Sequence, residues 1–450
     1  MGARKRGHPM IEQMRAEFGD SKDMVTEVLD NGFSRLELCF FPGMCDIVQV
    51  KDAILVPFSY RFDPDEFRRM LKTGLSFIES DEPKKWPEML LKGCVLLQYE
   101  EKVYSFAAIR KMQKEPGNTE VEASLQGPQS SFTEDLDMNM YLLRLRYNVP
   151  SLTAEQLQKG ELSGTRIMVV YDRLKVDGGS LDELHKRLDK IRPKLIQAAG
   201  QLAMFIGNTR FSMFPITLQT ERPDRVAQLI QRGKIAILVD GSRFAVTLPV
   251  RFFDFMHAMD DDYEPYWMGR IIIFFRYLGM ILSMTLPALY IAACSYNPEF
   301  FRVQLAFSID GSRAAVPYPS FVEVFIMLFM IEALIESSIR LPRFVGSTAA
   351  TVGGLILGQA AQQAGLVSSI MIIVTSVVAI SNFVIPNSSF SYSIRALKYV
   401  FVLVATFYGM VGIIVAIFLI VVYLCHLRSF GQPYLAINLK RDQRQSQQSR

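Results

Sequence analysis

Glu332 and Glu336 stand four residues apart in a run, Phe321 to Ile339, that is otherwise mostly Val, Phe, Ile, Met, Leu and Ala. Four residues is close to one helical turn, so a helix would put both carboxylates on one face. An ionised carboxylate inside a membrane span costs about 2.5–3.5 kcal/mol on insertion scales, so such groups face a bundle interior, a partner or water. In one reading this face lines or gates a cation path, because rings of carboxylates in a narrow passage attract cations. In the other, Glu336 pairs with Arg340, again four along, and Glu332 pairs with a residue such as Arg276 or stays protonated. Glu323, near the start of the same run and roughly opposite Glu332, is expected to snorkel to the interface.

The following apolar segment carries Gly346, Ala350, Gly354 and Gly358, a small residue at every fourth position. Such a stripe lets helix backbones meet, either within one subunit or between subunits around a pore. Gln359, Gln362 and Gln363 close the segment, and Gln359 joins the two glutamates as a pore or gate candidate. Enzyme signatures are missing: there is no G-x-x-x-x-G-K-[ST] phosphate loop and no G-x-S-x-G elbow, so no catalytic residue is expected. His8, His185, His257 and His426 are scattered, and the five cysteines form no C-x-x-C or Cys/His ligand pair. Neither a metal nor a cofactor is expected. The cysteines read as buried, inert thiols, with a Cys39–Cys45 disulfide as the alternative.

These groups need a scaffold that lives in lipid. From Phe344 to Ile394 the chain holds no charged side chain, about twice the roughly 20 residues that one span needs. Only Arg395 and Lys398 interrupt the run before it resumes from Tyr399 to Leu427. Spans are expected at about Tyr277–Tyr296 (with Pro287 inside), Ser320–Ile339, Val345–Gln362, Leu366–Ile385 and Tyr399–Leu427. Tyr263, Tyr266 and Trp267 suit an interfacial aromatic belt before the first of them.

The region before Tyr263 is dense in charge and reads as two soluble subdomains. The first has strand-like runs around Cys39 and Cys94, a Pro42-Gly43 turn, and a helix opened by Asp63 and Pro64. A polar linker lies at Gln113 to Gln126. In the second, Ser131 and Glu134 have capping-box spacing, Gly178-Gly179 is a turn before a helix at Leu181, Gly233 closes a helix, and Asp240-Gly241 joins two apolar strands. The alternation of strand and helix argues an α/β or α+β fold.

The expected fold is thus a membrane α-helical bundle of four to five spans with an N-terminal soluble α/β region of two subdomains. The boundaries are residues 1–116, 117–266, 267–430 for the helical domain, and 431–450 for a polar basic tail. Met1 to Met10 is basic with no apolar core behind it, so a secretory signal peptide is not expected. Arg270, Arg276, Arg340 and Arg343 favour a cytoplasmic N-terminal region. Five crossings would put the basic tail outside. Four plus one re-entrant piece would return it, and the glycine-rich third segment is the candidate re-entrant piece. A net charge of +4 dispersed among acidic residues gives no footprint for nucleic acid.

Several strings now carry a family resemblance. They are "GPQSSFTEDLDMNMYLLRLR", "TERPDRVAQLIQRGKIAILVDGSRFAVTLP", "LGMILSMTLPALYIA", the stretch from Ser312 to Ser368 with "VGGLILGQAA", and "HLRSFGQPYLA". In this order and spacing the chain resembles the A subunit of the GerA family of bacterial spore germinant receptors, from about Ile11 to Ala436. It departs from the family's "SREGVP" with Ala314-Ala315. The resemblance implies a multi-pass protein of the spore inner membrane, in contact with lipid. It implies a transporter-like B subunit and a lipoprotein C subunit as partners. It also implies a homo-oligomer, a pentamer by family analogy, that acts as a ligand-gated cation channel and triggers germination. The rivals are a secondary-transporter-like subunit, which calls for inverted repeats that the chain lacks, and a membrane scaffold that only recruits partner subunits.

Overall fold

A computed structural model describes residues 9–436 apart from residues 20, 33, 60–63, 75, 81, 111–116, 123, 125, 208–211, 301 and 341–342. Of residues 9, 64, 300, 339–340 and 343–351 it describes the backbone alone. The expected N-cap Asp63 and most of the basic tail lie outside the described residues. The chain forms two compact units. The first holds residues 1–211, 216–250 and 429–432; the second holds 212–215, 251–428 and 433–450.

The first unit contains two five-stranded sheets. Strands β1 (Val25–Asp30), β2 (Arg35–Phe40), β3 (Phe77–Glu79), β4 (Cys94–Tyr99) and β5 (Lys102–Ala107) lie in the order β1-β2-β4-β5-β3. Strands β6 (Leu152–Lys159), β7 (Thr165–Asp172), β8 (Leu218–Thr220), β9 (Ile235–Val239) and β10 (Ala245–Leu248) lie in the order β6-β7-β9-β10-β8. Every neighbouring pair is antiparallel. The unit is therefore α+β, which settles the α/β alternative. Short turns such as Asp240-Gly241 between β9 and β10 can join only antiparallel strands. Gly241 sits there at φ +77°, where a side chain is disfavoured.

Alternation along β4 serves two cores. Val95, Leu97 and Tyr99 pack with Phe58, Phe67 and Leu71, whereas Leu96 turns to the other face with Phe18, Phe41 and Leu90. That second core runs on without a break into Phe132, Leu136, Leu143, Val170 and Leu238 of the other subdomain. The two sheets thus share one core across the junction, and the other face of β4 belongs to a core within the first subdomain. A fragment of residues 9–250 is expected to melt cooperatively by circular dichroism. A fragment of residues 127–262 is expected to melt without cooperativity; a sharp transition there would show that the shared core is dispensable.

Polar groups reinforce the junction. Glu221 is buried, and its Oε1 accepts from three successive backbone N–H groups, those of Glu120 (2.6 Å), Val121 (2.5 Å) and Glu122 (3.0 Å). Three aligned N–H groups form a concavity suited to an anion. Thr220 Oγ1 and Arg225 Nη1 both donate to the Glu122 carboxylate, at 2.7 and 3.0 Å. The "TERPDR" string is therefore a clamp on the linker, and Pro223 opens the helix that follows it. Ser131 is drawn to the same linker: its hydroxyl donates to the Gly117 carbonyl at 2.8 Å. The Ser131–Glu134 capping box accordingly does not form. Asp135 caps the Leu136–Arg146 helix instead. Gly178 and Gly179 likewise belong to the first turn of the Gly178–Lys190 helix, capped by Asp177.

All five cysteines are free, which removes the Cys39–Cys45 disulfide. Burial pushes the thiols of Cys39 and Cys45 up to about 12, so both stay protonated and unreactive at neutral pH.

The second unit is helical: α1 (Tyr266–Ser295), α2 (Val303–Arg313), α3 (Ser320–Arg340), α4 (Arg343–Gln363), α5 (Ser369–Phe383) and α6 (Ser388–His426). Among the described residues, α1 and α6 are long and apolar enough to cross a membrane, and α5 is a shorter apolar helix. Contacts show successive helices running back and forth. Ser295 at the end of α1 hydrogen-bonds Ser320 at the start of α3, at 2.5 Å. Glu323 in the first turn of α3 accepts from Ser368, the N-cap of α5. Asn382 near the end of α5 returns to Ser283, inside α1, at 2.5 Å. The glycine-rich third segment is continuous helix. Reversal occurs instead within α6, where Gly409 has φ +57° and ψ −141°. Phe390 and Tyr423 both pack on the Phe214 ring, at 5.8 and 6.2 Å between centroids. Thirty-three residues of straight helix would part them by about 50 Å.

Candidate functional site

The helical unit holds an ion cluster between α3 and α6. Glu332 lies two-thirds of the way along α3, and Arg395 and Lys398 lie on one face of the first part of α6, three residues apart. Arg395 Nη2 donates to Glu332 Oε2 and its Nε to Oε1 at 3.3 Å. Lys398 Nζ donates to Oε1 at 3.2 Å, and its side chain is fully buried. The partner of Glu332 is thus not Arg276. That arginine is held at the base of α1 by Asp261 (2.6 and 3.0 Å) and by the Met256 carbonyl. One carboxylate faces two cations, an excess of one positive charge among apolar helices.

Glu336 is exposed one turn further along α3. Glu323 does not snorkel. It is wholly buried and accepts from the Ser368 N–H (2.7 Å), the Ser368 hydroxyl (2.6 Å) and the Tyr290 hydroxyl (3.2 Å), with Arg313 Nε 3.6 Å away. It ties the end of α2, the start of α3 and the α4–α5 turn together. Spacing placed Glu323 near a helix end but could not show that another helix terminus covers it.

On α4, Gln359 is exposed. A Cβ at Gly354 would stand 3.3 Å from Leu334 of α3, and one at Gly353 would stand 3.4 Å from it. A Cβ at Gly358 would meet nothing within 4 Å. The environments of Gly346 and Ala350 lie outside the described side chains. Of the stripe, Gly354 thus faces Leu334 of the same chain, and Gly358 is open. Gly354→Leu is expected to lower the amount of folded chain in membranes at least fivefold on immunoblots, because it drives a branched side chain into Leu334. Gly358→Leu is expected to accumulate normally. Equal levels for both would place the Gly354 face away from α3.

His185 meets Glu155 at 2.9 Å and His257 meets Asp262 at 3.1 Å, while His8 lies outside the described residues. Among the described residues no cluster of three or more His, Cys, Asp or Glu could hold a metal ion.

An antiparallel α+β unit and a helical unit, the latter with an ion cluster and two helices long and apolar enough to cross a membrane, define the class of chain. The family described as Bacillus/Clostridium GerA spore germination protein matches residues 12–449. Spore germination protein GerLA of Bacillus cereus is 32% identical over 437 residues, 94% of this chain and 88% of that one. Spore germination protein B1 of Bacillus subtilis (strain 168) is 37% identical over 322 residues, 71% of this chain and 66% of that one. The chain belongs to the GerA family of spore germination proteins. Among solved structures, the crystal structure of the N-terminal domain of the A subunit of the Bacillus megaterium spore germinant receptor GerK3 aligns with 54% of this chain and 94% of its own, at 22% identity and a TM-score of 0.41.

Proposed function

We propose that this chain is the A subunit of a nutrient germinant receptor. It spans the spore inner membrane several times, with residues 1–250 on the cytoplasmic side, and works with a transporter-like B subunit and a lipoprotein C subunit. It assembles as a homo-oligomer, a pentamer by analogy with the family. Its activity is ligand-gated cation conduction, and the cation release that follows starts germination.

Family membership supports the receptor role. The observation that carries conduction is the Glu332–Arg395–Lys398 cluster, since charges inside an apolar bundle mark ion pathways and gates. With Glu332 held by two cations, the local charge repels cations and the path is shut. Opening moves α3 against α6 and frees the carboxylate. Glu336 on the next turn and Gln359 on α4 then supply further polar groups along the path. The apolar neighbours of Glu332 close it by dewetting when the helices approach.

The test is made in spores. Spores lacking this chain are expected to keep their cations on exposure to the nutrient that triggers the parent strain, and restoring the chain should restore release. Normal release from the deletion strain, across the nutrients that the parent responds to, would contradict the receptor role.

A further inference from the structure

We infer that α6 crosses the membrane twice, as a hairpin hinged at Gly409 and latched by Tyr296, so that the helical unit makes six passes and ends on the face where it began. This holds whatever the unit conducts.

Three observations carry it. First, the chain leaves and re-enters the first unit at one point. Val250 N–H donates to the Ser429 hydroxyl at 3.0 Å, and that hydroxyl donates to the Ile216 carbonyl at 2.8 Å. Residues 251–428 are therefore a closed excursion, and an excursion that starts and ends on one face makes an even number of crossings. Four or six satisfy this; five does not.

Second, the helices supply six passes. Directions alternate through α1, α3, α4 and α5, as the Ser295–Ser320, Glu323–Ser368 and Ser283–Asn382 contacts require. The arms of α6 on either side of Gly409, residues 388–408 and 410–426, are about 31 and 26 Å long. The hydrocarbon core is about 30 Å thick. At Gly412 a Cβ would stand 2.8 Å from Val404 Cγ1, whereas eight residues of straight helix advance about 12 Å. The arms thus lie against each other from the turn outwards. Between them runs an apolar groove of about 600 Å³ lined by Val404, Tyr408, Val411, Val415 and Leu419. In this arrangement the helix ends near Arg270, Arg340, Arg343 and Arg428 all fall on the side of the bilayer where the helical unit begins and ends, the distribution expected of the cytoplasmic side.

Third, the turn is built for one residue and one latch. Gly409 is buried, and its φ of +57° with ψ of −141° is open essentially to glycine alone. A Cβ there would lie 2.8 Å from the Tyr296 ring. The Tyr296 hydroxyl donates to the Thr406 carbonyl at 2.5 Å, taking up one of the acceptors at the end of the first arm. Irregular backbone in a bilayer survives where protein covers it, and Tyr296 is that cover. Tyr296 directly follows α1, so a shift at the end of α1 passes to both arms.

Spin labels test the hairpin on the full chain in nanodiscs. Tyr392 and Val421 are exposed, one on each arm. Cysteines are placed at both in a chain carrying Cys94→Ser, Cys294→Ser and Cys425→Ser. Pulsed dipolar spectroscopy is expected to give about 20 Å, from an interaxial distance of about 8–10 Å plus the label arms. A straight helix would give about 44 Å and overturn the hairpin. Adding Tyr296→Phe keeps the ring and removes the hydroxyl, and should at least double the width of the distance distribution. An unchanged width would overturn the latch. Impermeant labelling of Arg4→Cys and Ser446→Cys supplies an independent readout in cells. Equal protection is expected; modification of the tail site alone would overturn the even number of crossings.

Discussion

Replacing Arg144 by Met is expected to destabilise the first unit by about 3–5 kcal/mol, the range for breaking a buried ion pair from one side. Arg144 is buried at the junction of the two sheets. Its Nε meets Asp23 Oδ2 at 2.8 Å and its Nη2 meets Oδ1 at 3.1 Å. The same Nη2 donates to the Leu152 carbonyl at 3.0 Å, and the guanidinium lies 4.6 Å from the centre of the Phe41 ring. Removing the cation strands the Asp23 carboxylate beside the shared core with the Ser21 hydroxyl as its remaining donor in that cluster. Arg144→Lys keeps the charge and loses the fork, so it should recover only part of the loss. Urea unfolding of the 9–250 fragment reads the effect. A change below about 1 kcal/mol would mean that the junction does not depend on this pair.

Glu332→Gln is the second large effect. The substitution keeps the shape of the side chain and removes the one negative charge facing Arg395 and Lys398. Two cations then stand together with no counter-charge in an apolar bundle. The initial rate of nutrient-triggered cation release is expected to fall at least tenfold in spores that carry normal amounts of the protein. Adding Lys398→Gln removes one of the stranded charges and should restore part of the rate, which a mere packing defect would not show. Glu336→Gln removes an exposed carboxylate and should change cation selectivity more than rate. If both single variants release cations at the normal rate and selectivity, the carboxylates are structural and the path lies along another segment.

Local signals in the chain were readable where local chemistry decides the outcome. Gly233 follows the end of its helix, Asp240-Gly241 turns between its strands, and the apolar runs from Ser320, Val345 and Leu366 became α3, α4 and α5 within a few residues. The failures have a common cause in contacts between distant parts of the chain. Arg395 and Lys398 follow Glu332 by 63 and 66 residues, so their meeting depends on how the first arm of α6 packs on α3. A lone glycine in an apolar run reads as tolerated helix. Its left-handed conformation at position 409 is set by Tyr296, which lies 113 residues earlier by number. Glu323 likewise looked like an interfacial residue until Ser368 and Tyr290 were found covering it. Ser131 and Glu134 had the spacing of a cap, but Gly117 engaged the serine first.

Ion conductance through the purified chain in liposomes, alone and with its B and C partner subunits, tests the conduction claim most directly. Cation-selective flux that needs the nutrient and the partners, and that falls with Glu332→Gln, is the expected result. Liposomes holding all three subunits that remain cation-tight in the presence of nutrient would contradict it.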